Sequence, residues 1–268
     1  MSASGVERIA EAFARARADG RAAALMPYMM GGFPDLETSR RIGEACIEAG
    51  ADLIELGVPF SDPLADGPVI HAAATTALAA GVTLGDVVEL GAALGERVPV
   101  ILMCYVNPIL ARGVERFADM LRDAGICGLI VPDVPFEEAS ELWAACAARE
   151  LGYVPLVAPT TSPERMAGVG ATARGFLYVV GVTGTTGERS AQGDDASELL
   201  ARARAATDVP VALGFGISTP EQAAAAAAAG ADGVIVGSRL VRAAGAQDGG
   251  PEAVSGLVHD LSAALTTS

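Results

Sequence analysis

A chain of 268 residues that is 51% hydrophobic but only 4% aromatic must build its core from Ala, Val, Leu and Ile rather than from rings. Its formal charge of −15 excludes a binder of nucleic-acid backbones, which needs clustered cations to displace counterions. No apolar run approaches the roughly 20 residues that span a bilayer, and the N-terminal segment MSASGVERIAEAFARARADG is charged and amphipathic, so no membrane contact and a cytoplasmic location are expected.

In chain order, the amphipathic start is expected to form a helix. Apolar, β-branched runs then alternate with longer stretches of helical period to the end of the chain. Strands are predicted at 25–30, 53–56, 98–103, 128–131, 153–157, 176–180, 209–213 and 233–236. Helices are predicted after turn or capping signals, as at Asp35 before LETSRRIGEACIEAG and at Ser162-Pro163 before ERMAGVGA. The alanine run 223–229 reads as a helix packed closely against a sheet. Continuous apolar strands imply burial on both faces, and strict alternation implies right-handed crossovers and parallel pairing. Eight such units point to a (β/α)8 TIM barrel, one domain over 1–268, with the N-terminal helix as an extra element closing its bottom. A doubly wound open sheet is the other reading, but no GxGxxG follows the first strand.

Two absences narrow the chemistry. All 18 basic residues are arginine, so no Schiff-base lysine exists for aldol chemistry or for covalent pyridoxal phosphate on this chain. Cys46, Cys104, Cys127 and Cys146 sit singly in apolar stretches, and His71 and His259 lie far apart. Buried thiols and no metal site are therefore expected.

Reacting groups in such barrels project from the C-terminal ends of strands. The second strand runs into ELGVPFSDPLADGP at 55–68, which places Glu55 inside an apolar run and Asp62 and Asp66 in a loop stiffened by proline. A carboxylate in that setting is desolvated and suited to proton transfer. Later come Gly184-Thr185-Thr186-Gly187, Gly214-Phe215-Gly216 and Gly237-Ser238, at three successive strand ends where barrels often cradle phosphate on loop amides. An acid–base pair and a phosphate cradle, with no lysine or metal, suit carbon–carbon cleavage only if the substrate carries its own electron sink. Indole protonated at C3 is such a sink.

The stretch at 55–68 resembles the signature of the tryptophan synthase alpha subunit. With it, PYMMGGFPD before and VPDVPFEE, GTTGER, LGFGIS and ADGVIVGS after fall in that family's order and spacing, so that the similarity runs from about Met26 to Ala243. The resemblance implies cleavage of indole-3-glycerol phosphate to indole and glyceraldehyde 3-phosphate. Glu55 then matches the catalytic proton donor and acceptor, and Asp66 the partner of the indole N–H. Tyr178, Tyr28, Met103, Ile130, Phe215 and Thr186 match substrate-binding positions, Thr186 within a mobile loop. Gly187, Gly216, Gly237 and Ser238 match the phosphate cradle, and Pro59 and Asp62 match interface positions. The family implies no cofactor on this chain, a beta subunit carrying pyridoxal phosphate, and an alpha-beta-beta-alpha assembly through which indole is passed. A stand-alone lyase releasing indole, or a silent barrel that activates a partner, are the competing expectations. The segment MMGGFPD, where many relatives carry threonine before the glycine, and a loop lacking the relatives' proline-containing stretch depart from the pattern. His71 is expected on a helix surface and Trp143 in helix packing.

Overall fold

The computed structural model describes residues 3–181, 191–214, 216–246 and 250–266, the side chains of 191–195 excepted. Nine strands pair in parallel: β1 (Ala24–Met30), β2 (Ile54–Gly57), β3 (Val100–Met103), β4 (Gly128–Ile130), β5 (Gly152–Tyr153), β6 (Leu156–Val157), β7 (Leu177–Val180), β8 (Val211–Gly214) and β9 (Gly233–Val236). Their order is β5-β4-β3-β2-β1-β9-β8-β7-β6, so the two ends of the sheet are neighbouring pieces of one segment. Pro155 divides that segment because it has no N–H to donate to a ladder. Pairing continues around the gap, with Val154 N–H donating to Leu129 O at 3.0 Å and Tyr178 N–H to Pro155 O at 3.1 Å. The predicted fifth strand is thus one stave in two halves, and the eight staves form the expected barrel.

The predicted helix starts are observed. Asp35 accepts from Thr38 N–H at 2.8 Å at the start of Leu36–Glu48, and Ser162 accepts from Arg165 N–H at 3.3 Å ahead of Pro163–Thr172. The alanine run lies in Pro220–Ala228, where Ala223 and Ala226 are buried, small enough to bring the helix close to the sheet. A short helix, Ser238–Ala244, follows β9 directly, ahead of the last helix, Gly250–Ala264.

The N-terminal helix Gly5–Ala18 opens on a capping box between Ser4 and Glu7 and buries Ile9, Ala12, Phe13 and Ala16, one face at helical spacing. These side chains join Met26, Leu53, Ile101, Ile130, Phe176 and Ala212 in the barrel interior. The helix therefore plugs the end at which the strands begin, as expected. Glycine makes room for it: a Cβ at Gly152 would fall 2.9 Å from Ile9 Cδ1, and one at Gly233 3.0 Å from Phe13 Cε1. Two buried aspartates tie the same end. Asp52, paired with Arg21, accepts from Leu25 N–H at 2.8 Å, and Asp232, 2.6 Å from Arg17, accepts from Val211 N–H at 2.9 Å. All four cysteines are free and buried, as predicted.

Candidate active site

The opposite end of the barrel holds a hollow of about 360 Å³. Tyr28, Glu55, Met103 and Tyr178 form its floor from four strands, and register explains the grouping: Tyr28 lies beside Glu55, and Gly57 beside Met103. Side chains at i and i+2 of a strand share a face, so Glu55 points inward with Leu53 below it. Gly57 leaves space for the Tyr28 hydroxyl, which would stand 2.2 Å from a Cβ there; Gly214 does the same for Tyr178, also at 2.2 Å.

Glu55 is only 3% exposed, and neither of its carboxylate oxygens has a hydrogen-bond partner among the described residues. Burial, with the charge of Asp66 adding to it, pushes its carboxyl up to about 8. At neutral pH it therefore keeps its proton. Tyr28 and Tyr178 are raised well above the usual phenol range, first by burial and then by nearby acidic groups, so both remain neutral donors.

Asp66 enters from loop 58–67. Its N–H donates to Pro63 O at 3.3 Å, and its carboxylate is hydrogen-bonded by Tyr105. Burial raises its pKa, opposed by the Tyr105 hydrogen bond and by the charge of His71. Tyr105 also accepts from Ala65 N–H at 3.0 Å, and its ring stacks on Phe60 with centroids 5.2 Å apart. The loop is thereby fastened to the strand end at two consecutive residues.

The other wall comes from Gly216, Ile217 and Ser218 after β8 and from Gly237, Ser238, Arg239 and Arg242 after β9. Gly216 has φ of +83°, a backbone shape that side chains resist. Acid, base, neutral phenols and a polar glycine-rich rim thus surround one cavity, an arrangement suited to proton transfer on a substrate with an apolar and an anionic end. Among the described residues no cluster of three His, Cys, Asp or Glu groups could hold a metal.

Of the residues proposed from sequence, the hollow unites Glu55, Asp66, Tyr178, Tyr28, Met103, Gly216, Gly237 and Ser238. Ile130, fully buried at the end of β4, packs in the interior layer with Ile101 and Tyr178, behind the residues that line the hollow. Pro59, buried, and Asp62, exposed beside Ser61, lie outside it. Phe215, Thr186 and Gly187 are outside the described residues. His71 is exposed on its helix and Trp143 packs against the core, as read. Sequence reading missed Tyr105, Arg239 and Arg242, although each lies on the segment that follows a strand end, the place where barrel chemistry concentrates.

Residues 13–262 match the family model described as tryptophan synthase alpha chain. The tryptophan synthase alpha chain of Prochlorococcus marinus is 50% identical over 236 residues, which cover 87% of this chain and 86% of the relative. A chain of the Mycobacterium tuberculosis tryptophan synthase structure superposes with a TM-score of 0.89 at 40% identity, with both chains fully covered. A chain of the tryptophan synthase complex from Pyrococcus furiosus gives 0.81 at 32% identity, covering 90% and 98%. Barrel, hollow and near full-length similarity agree: this chain belongs to the tryptophan synthase alpha chain family.

Proposed function

We propose that Glu55, as the proton-transfer group, and Asp66, as the stabiliser of the developing positive charge, are the residues with which this chain, as a tryptophan synthase alpha chain, cleaves indole-3-glycerol phosphate to indole and glyceraldehyde 3-phosphate. The observation that carries the assignment is the buried Glu55 carboxyl, without a hydrogen-bond partner among the described residues, facing the same hollow as Asp66. Protonated Glu55 delivers its proton to indole C3, giving an indolenine whose positive charge Asp66 stabilises at the ring N–H. The resulting Glu55 carboxylate removes the proton from the hydroxyl on the adjacent side-chain carbon. The carbon–carbon bond then breaks, its electron pair flows to the ring C=N, and Glu55 ends protonated as it began.

Tyr28, Met103 and Tyr178 would enclose the indole, and amides at Gly216, Gly237 and Ser238 would orient the phosphate. Phe215, Thr186, Gly187 and Ile130 keep the roles that the family resemblance implies, Ile130 from behind the floor. The partner is a tryptophan synthase beta subunit, with Pro59 and Asp62 proposed at the contact. The alpha chain family needs no cofactor of its own, and pyridoxal phosphate is proposed on the beta subunit. A cytoplasmic location and a single domain over 1–268 complete the reading. Among the described residues no single helix is long and apolar enough to cross a membrane.

The test is release of indole from indole-3-glycerol phosphate by the purified chain, with and without the beta subunit. Glu55→Gln and Asp66→Asn should each lower the rate by about two orders of magnitude or more. Full activity in Glu55→Gln would sink the assignment.

A further inference from the structure

A phosphate ester brings nearly two negative charges at neutral pH, yet the cavity that would receive it is lined by the acidic Asp66 within a chain of net charge −15. Amide dipoles at the rim supply direction but only fractions of a charge. Among the described lining residues the only cations are Arg239 and Arg242. They stand three positions apart on Ser238–Ala244, on one helix face, while Leu240 and Val241 between them are buried. Among the described residues nine other arginines make ion pairs with carboxylates. Arg239 and Arg242 have neither an ion pair nor a hydrogen bond among the described residues, in a chain with 33 acidic groups. Two adjacent, unneutralised guanidinium groups disfavour the helix that carries them, so a ligand that neutralises both accounts for their position.

We propose that Arg239 and Arg242 are the counter-charges for the substrate phosphate, making the chain selective for phosphorylated over unphosphorylated substrates. The proposal rests on the preceding reading of the rim as a phosphate site. Guanidinium suits this task because it stays charged and offers paired donors that match phosphate oxygens. Both side chains are exposed, so water and salt weaken the attraction and its effect is moderate.

The experiment compares wild type, Arg239→Gln, Arg242→Gln and the double variant, with Arg116→Gln as a control that removes an exposed arginine away from the cavity. Kinetics on indole-3-glycerol phosphate at low and high salt are paired with calorimetric titration of inorganic phosphate and of indole. In the double variant KM should rise about tenfold at low salt, with kcat changed less than about threefold. The gap should shrink as salt is added, phosphate affinity should fall in parallel, and indole affinity should hold. Unchanged KM and phosphate affinity in the double variant would overturn the proposal, as would an equal loss of indole affinity, since charge selection predicts a difference between the two ligands. The phosphate titration needs no turnover, so a wild-type chain that releases no indole would strike the functional reading alone.

Discussion

Asp66 reaches the cavity from a loop, and a loop carboxylate wanders unless something fixes it. Tyr105 supplies the restraint, binding the Asp66 carboxylate and the Ala65 N–H with one hydroxyl while its ring rests on Phe60. A hydrogen bond to a charged group is worth about 1.5–3 kcal/mol, so Tyr105→Phe should cost kcat/KM about tenfold or more. The same bond holds down the pKa of Asp66; its loss moves that pKa further up, and the acid limb of the pH–rate profile moves to higher pH. An unchanged acid limb would show that Tyr105 does not position Asp66. Glu55 and Asp66 were legible in the sequence because a carboxylate in an apolar run, and another in a proline-stiffened loop, have few structural explanations. Tyr105 was not, since an aromatic residue at a strand end reads as core, and only the fold brings it 40 positions back to Ala65. Family position groups Ile130 with the pocket residues, and only the fold shows its side chain in the layer behind the floor.

Strands and helices were the most legible part of the molecule, because burial on both faces leaves uninterrupted apolar runs between capped helices. The exception lies at Pro155, where apolar residues on both sides concealed a gap in the ladder that only pairing with β4 and β7 reveals. The N-terminal helix was read correctly as a plug, though sequence could not say which residues it meets. Phe13 enters the interior with its ring 6.0 Å from Phe176, which stands 6.5 Å from Tyr178, so an aromatic column runs from plug to pocket floor. Phe13→Ala would empty the base of that column and should cost about 3–5 kcal/mol. Urea unfolding should show a lower midpoint with an unchanged slope, and a midpoint equal to wild type would mean that the helix adds little to barrel closure.

The whole barrel treats its buried acids in opposite ways at its two ends. Where the strands begin, Asp52 and Asp232 each have an arginine and a backbone N–H, and they fasten the sheet. Where the strands end, Glu55 has neither among the described residues, and enclosure by the barrel holds its carboxyl near 8 against an ordinary value of 4.5. Stability must answer to that difference. Below pH 4.5 both folded and unfolded chains hold the Glu55 proton; between 4.5 and about 8 the folded chain alone holds it, so rising pH favours unfolding. Above about 8 the penalty is complete, on the order of 5 kcal/mol. Glu55→Gln cannot ionise and escapes this cost, although it loses catalysis. Urea midpoints for wild type and Glu55→Gln should therefore diverge as pH rises from 5 to 8, with the inactive variant the more stable. A gap that stays constant over that range would mean that Glu55 titrates like an ordinary carboxylate, and the same result would remove the proton that it is proposed to give to indole.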